Sequence, residues 1–148
     1  MPSLDSMMMR QIIMDHYESP RNHGLVDDDN YKSVNMDSET CIDDIDVQAL
    51  VEDGVIKDIR FDGEACAICT ASTSIMSELL IGKTVDEAKK IIENYYNMIY
   101  EKDYDPEILE EAIVFMNTHK QANRIKCATL GWTGIKQILD QEEEGTYG

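Results

Sequence analysis

Apolar residues recur at two different spacings along this chain, and each spacing predicts its own kind of element. Met8, Met9, Ile12, Ile13 and Tyr17 fall on one helical face, and Pro20 ends that pattern. After the Arg21-Asn22-His23-Gly24 turn the period becomes two. Val47, Ala49 and Val51 alternate with Asp46, Gln48 and Leu50, and Glu52-Asp53-Gly54 makes a hairpin turn. Val55, Lys57, Ile59 and Phe61 return on one face, with Ile56 and Arg60 on the other. A further strand near Tyr31 to Met36 completes a three-stranded antiparallel sheet.

From Cys66 onward the helical period returns. Ile68, Ile75, Met76, Leu79 and Leu80 form a stripe, and Gly82 stands where a C-terminal cap belongs. Thr84-Val85-Asp86-Glu87 is a capping box that opens a helix carrying Ala88, Ile91, Ile92 and Tyr95. Asp105-Pro106 starts another helix, read as running through Phe115, and the last follows Cys127 and buries Leu130, Ile135, Ile138 and Leu139. Strands first and helices after is the α+β order, here a small three-stranded antiparallel sheet with about five helices packed on one face. The acidic end Glu142-Glu143-Glu144 reads as a frayed tail.

The length of 148 residues predicts a single domain, able to bury roughly 70% of the unfolded chain's surface. The net charge of −17 repels nucleic-acid phosphates and anionic membranes, so no nucleic acid and no membrane is expected as a partner. A basic or metal-bearing protein partner fits that charge better. No apolar run approaches the roughly 20 residues that span a bilayer, and no signal peptide is visible, so the chain is read as cytoplasmic. In that compartment its four cysteines are expected as metal ligands, catalytic thiols or buried residues rather than disulfides. The Met7-Met8-Met9 run reads either as an adaptable docking surface or as part of a helix packed on its own domain.

The thiols are Cys41, Cys66, Cys69 and Cys127, and three of them stand at element boundaries far apart in sequence. Such boundaries are where loops from different segments converge. A thiol near a helix N-terminus feels the positive end of the backbone dipoles and gains thiolate character, and this is the expectation for Cys66 and Cys127. Cys41-Ile42-Asp43 adds a carboxylate beside a thiol, and three thiolates with one carboxylate make a tetrahedral zinc set. The pair Cys66-Ala67-Ile68-Cys69 matches C-x-x-C, but no second such pair completes a zinc ribbon and no thioredoxin-like strand–helix pattern precedes it. A buried structural cysteine remains the alternative for each thiol.

Three ordered motifs carry a resemblance. Arg124-Ile125-Lys126-Cys127-Ala128-Thr129-Leu130-Gly131-Trp132 is similar to the third cysteine segment of the IscU/SufU/NifU family of iron–sulfur cluster assembly proteins. Phe61-Asp62-Gly63-Glu64-Ala65-Cys66-Ala67-Ile68, followed by Ala71-Ser72-Thr73-Ser74-Ile75-Met76, resembles its second cysteine segment. His16-Tyr17 through Pro20-Arg21-Asn22-His23-Gly24 resembles its N-terminal signature. Lys126 rather than histidine precedes Cys127, and Gln121 to Lys126 lacks the proline of the IscU chaperone motif. The stretch from about Asn94 to Ala112 looks like the extra segment of the SufU-type branch.

The resemblance implies a small antiparallel sheet with helices on one face. It implies Cys41, Asp43, Cys66 and Cys127 as zinc ligands, with Cys41 the catalytic thiol that receives sulfur from a SufS-type cysteine desulfurase and passes it to downstream iron–sulfur assembly components. The alternatives are a scaffold on which a [2Fe–2S] cluster is built transiently, or a non-catalytic zinc-stabilised adaptor. Arg124 is an auxiliary candidate, a cation one turn from Cys127 facing either sulfur charge or a carboxylate. Cys69, where the family usually has serine, is a spare thiol, an alternative ligand or an inert buried residue. Ile42 replaces the usual glycine and Glu39 the usual proline, so a β-branched side chain stands beside Asp43 where glycine would permit positive φ. The histidines His16, His23 and His119 are read as structural or turn residues rather than ligands.

Overall fold

The computed structural model describes the backbone of residues 5–38 and 42–147, with side chains as far as Gln141. Helix α1 covers Ser6–Glu18, and Asp5 caps it by accepting from the Met8 N–H. Strands β1 (Lys32–Asp37), β2 (Asp44–Glu52) and β3 (Val55–Glu64) form one antiparallel sheet in the order β1-β2-β3. The β2–β3 hairpin turns on Asp53 and Gly54, both at positive φ (53° and 74°), the geometry a two-residue hairpin of right-handed twist demands.

The strict alternation expected of β3 does not hold. Leu50 pairs with Asp58 but Val51 pairs with Ile56, which leaves Lys57 as an extra residue. The bulge shifts the phase of the strand. Ile56, expected on the outer face, is fully buried, while Ile59 and Phe61 stay on the inner side and Lys57 is exposed.

Helix α2 spans Ala67–Leu80 and α3 spans Val85–Ile99, the latter opened by the capping box between Thr84 and Glu87. The helix expected from Asp105-Pro106 through Phe115 is instead interrupted. A single α turn, α4 (Pro106–Leu109), gives way at Glu110, whose φ is 46°, to a 3₁₀ segment from Glu110 to Phe115. Ala112, Ile113, Val114 and Phe115 are all buried, and four consecutive residues cannot share one face of an α-helix. Burial overrides the helical pattern here.

Helix α5 runs Ala122–Tyr147, beginning well before Cys127 and continuing through the acidic Glu142-Glu143-Glu144 stretch. Both ends correct the sequence reading. The early start escaped notice because, Ile125 apart, residues 117–126 offer no apolar stripe. The helices collect on the inner face of the sheet, with α5 against β1 and β2 and α2 against β3. Gly134 of α5 faces Met36, Val47 and Val34 so closely that an added Cβ would lie 3.0 Å from Met36 Cγ. No helix among the described residues is long and apolar enough to cross a membrane. In the methionine run, Met9 is buried while Met7 and Met8 are exposed.

Candidate metal centre

The second cysteine motif is shaped by one close approach. Gly63 sits at φ 132°, and a Cβ there would lie 2.3 Å from the Asp44 carbonyl oxygen, so only glycine lets β3 pass β2 at this point. Three residues on, Cys66 is the N-cap of α2. Its backbone is extended, and its sulfur accepts the Cys69 N–H at 3.4 Å. The expectation that Cys66 meets the positive end of a helix is met by this capping contact.

Asp43 reaches the same point from the other side of the β2 start. It is fully buried, one carboxylate oxygen accepts the Cys66 N–H at 2.7 Å, and the other lies 3.7 Å from the Cys66 sulfur. The Ser38 N–H donates to the Asp43 carbonyl at 2.9 Å, just beyond the last pair of the β1–β2 ladder, Asp37 with Asp44. Ile42 is 70% exposed and is not among the described non-glycine residues at positive φ, so its branched side chain points to solvent while Asp43 turns inward. With isoleucine at position 42 the Asp43 carboxylate still reaches the Cys66 N–H.

Cys127 arrives on α5. It lies in the second turn of that helix, not at its start, so the dipole argument made for it does not apply at full strength. Neighbouring contacts hold the backbone instead. The Ala128 carbonyl accepts the Ser72 hydroxyl at 2.6 Å and the Tyr95 hydroxyl at 2.7 Å, and the Trp132 indole N–H donates to Ser72 Oγ at 3.0 Å. Trp132 stacks on Tyr95 at 3.8 Å with the rings 3° apart. Burial pushes the Tyr95 phenol up, so it remains a donor. Gly131 completes the seam, since a Cβ there would lie 2.4 Å from Thr73 Oγ1.

Ligand atoms of Asp43, Cys66 and Cys127 all lie within 4.8 Å of one another, the metal-ion grouping found among the described residues. No cationic side chain pairs with the buried Asp43 among the described residues. A buried carboxylate facing two thiols without a cation is costly to leave uncompensated, and the donor set of one oxygen and two sulfurs fits a zinc ion. Cys41 lies outside the described residues. Cys69 is fully buried in the core and is not part of the group. Arg124 is exposed, and no side-chain partner, thiol or carboxylate, engages it among the described residues.

The histidines take structural places. His16 is buried, with Nδ1 2.7 Å from Ser74 Oγ and Nε2 3.1 Å from Glu111. The Arg21 N–H donates to the same Ser74 hydroxyl at 2.8 Å, so the N-terminal motif clamps α1 to the hydroxyl-rich stretch of α2. His23 meets the edge of Phe61, and His119 lies 3.1 Å from the Met116 carbonyl. The residues that sequence reasoning left out are Ser72 and Tyr95, which fix Cys127 through the next peptide. The available signal was the run Ser72-Thr73-Ser74 inside an otherwise apolar helix, since hydroxyls there need partners.

The model of the NifU-like N-terminal domain matches residues 8–141 of this chain. The chain belongs to that family. It is 35% identical over 144 residues to the zinc-dependent sulfurtransferase SufU of Bacillus subtilis, covering 97% of this chain and 96% of that one. It is 32% identical over 137 residues to the iron–sulfur cluster assembly scaffold protein IscU of Streptococcus pyogenes, covering 92% and 85%. The crystal structure of FiSufU from Fervidobacterium islandicum superposes with a TM-score of 0.80 at 31% identity, covering 87% of this chain and 94% of that one. The three-stranded sheet and its layer of helices are thus the fold of the NifU-like N-terminal family.

Proposed function

We propose that this NifU-like domain works in iron–sulfur cluster assembly as a zinc-dependent acceptor of persulfide sulfur from a cysteine desulfurase. The observation that carries the reading is the buried Asp43 carboxylate converging with Cys66 and Cys127, with no cationic side chain paired to it among the described residues. Likeness to the Bacillus subtilis sulfurtransferase across almost the whole chain supports it. Cys66 and Cys127 would hold zinc through sulfur, Asp43 through oxygen, and Cys41 would complete the set. Bound zinc would keep the thiols deprotonated near neutral pH and would hold the oxygen ligand less tightly than sulfur. Cys41 thiolate attacks the outer sulfur of the partner's persulfide, that S–S bond breaks, and the partner's cysteine leaves as thiolate. The acidic surface suits a basic docking face on the desulfurase.

The test is metal analysis of anaerobically purified protein together with desulfurase turnover. About one zinc per chain and stimulation at catalytic amounts are expected. An iron–sulfur chromophore without stimulation would favour the scaffold, and zinc with no sulfur uptake would favour the adaptor. Zinc removal by a chelator is expected to lower the melting temperature, because the unfolded chain lacks the assembled site. An unchanged melting temperature would remove the structural part of the claim.

Substitutions separate the two neighbouring thiols. Cys66→Ser and Cys127→Ser are each expected to lower zinc content, whereas Cys69→Ser is expected to leave it unchanged. Zinc lost on Cys69→Ser but kept on Cys66→Ser would reverse their assignment.

A further inference from the structure

Cys69 lies outside the metal-ion grouping found among the described residues, yet its backbone N–H is bound to the Cys66 sulfur of that grouping. The Cys66 sulfur is 3.4 Å from the Cys69 nitrogen, two covalent bonds from the Cys69 Cβ. The two residues are the N-cap and third position of α2, and side chains three apart on a helix have Cβ atoms about 5–6 Å from each other. A disulfide needs Cα atoms roughly 4.4–6.8 Å apart, so one turn of helix brings this pair within range by side-chain rotation. Exposure differs between them. Cys66 is half-buried and reachable by a small molecule, whereas Cys69 is fully buried and reachable only from within. A helix-capping thiol with a shielded thiol one turn inward is the arrangement of an attacking and a resolving cysteine.

We propose that Cys66 and Cys69 are a modification site, a reversible disulfide formed by hydroperoxides. The Cys66 thiolate attacks the outer oxygen of the hydroperoxide. The O–O bond breaks, the remaining oxygen leaves as alkoxide or hydroxide, and Cys66 becomes a sulfenic acid. The Cys69 thiol then attacks that sulfur. The S–S bond forms, the S–O bond breaks, and water leaves carrying the Cys69 proton. Two thiols lose two electrons and the hydroperoxide gains them. A dithiol reductant reverses the change by exchange. Cys127 is the competing partner, since its sulfur lies within 4.8 Å of the Cys66 sulfur, but it stands on a separate helix tied to α2 through the Ala128 carbonyl, whereas Cys69 shares the first turn that the Cys66 sulfur caps. The consequence for metal rests on the proposed function: a disulfide sulfur carries no charge and binds zinc weakly, so oxidation ejects the ion.

The experiment treats the full chain, zinc-loaded and zinc-free, with hydrogen peroxide. Released zinc is followed with a chromophoric chelator, and every cysteine is mapped by mass spectrometry. The expected product is a peptide holding Cys66 and Cys69 that is two hydrogens lighter, restored by dithiothreitol, with zinc leaving in step. In Cys69→Ser and Cys69→Ala, Cys66 is expected to pass to a sulfinic acid that dithiothreitol does not reverse. Cys66 joined to Cys127 or Cys41 in the unsubstituted chain, or over-oxidised there with Cys69 still reduced, overturns the proposal. The unsubstituted chain decides the pairing even where a variant fails to fold. The zinc-free arm decides it independently of the metal, so a chain that never bound zinc would defeat the proposed function and leave the disulfide to stand or fall alone.

Discussion

Cys41→Ser is expected to reduce sulfur uptake from the desulfurase to background, a loss of at least about a hundredfold, while the partner still binds. The nucleophile must be a thiolate with room for a partner's persulfide. Cys66 and Cys127 are committed elsewhere. The first caps α2 and touches Asp43, and the second is buried on a helix tied to Ser72 and Tyr95. Cys41 falls in sequence between β1 and β2, two residues before Asp43, the proposed oxygen ligand and the one expected to yield first when coordination changes. A serine hydroxyl at that position stays protonated and attacks sulfur poorly. Mass spectrometry of the chain after incubation with desulfurase and cysteine checks this directly. Persulfide on Cys66, Cys69 or Cys127 with Cys41→Ser still active would remove Cys41 from the mechanism. Asp43→Ala is expected to weaken zinc retention and transfer together, by roughly 10–100-fold.

Gly131→Ala is expected to destabilise the fold by about 1–3 kcal/mol and to loosen the metal centre with it. Two effects oppose each other. Alanine gains up to about 1 kcal/mol in helix propensity, but the new Cβ would meet Thr73 Oγ1 at 2.4 Å and Cγ2 at 2.9 Å. Thr73 is buried and its hydroxyl donates to the Cys69 carbonyl at 2.8 Å, so it has nowhere to swing. The clash wins. Separation of α5 from α2 moves Cys127 away from Cys66, because Gly131 lies one turn from Cys127. A melting temperature lower by about 2–12 °C and faster zinc loss to a chelator are the expected readouts. Thr73→Ala removes both the Oγ1 and Cγ2 contacts, so the double variant is expected to regain much of the loss, a coupling that additive single effects would not give. No rescue in the double variant would mean that Gly131 acts other than through this seam.

The α+β order, all three strands and the capping box of α3 were legible in the chain, because each rests on local periodicity or on a cap with its own partner residues nearby. The hairpin turn was legible for the same reason: Asp53-Gly54 supplies positive φ at both central positions. Other features were decided only by tertiary packing. The bulge at Lys57 reversed the facing of Ile56, since one extra residue flips a period-two pattern and nothing in the local sequence marks it. The break at Glu110 arose because four consecutive residues are drawn into one core, and α5 began early where exposed polar residues leave no stripe to read. For the site, motif residues named Asp43, Cys66 and Cys127 as ligand candidates, but their convergence comes from the β2–β3 crossing at Gly63 and the α2–α5 seam at Gly131. Sequence specified the donors through their chemistry. Their grouping within 4.8 Å, with Cys69 turned into the core and Arg124 into solvent, depends on how elements distant in sequence pack, which no local pattern encodes.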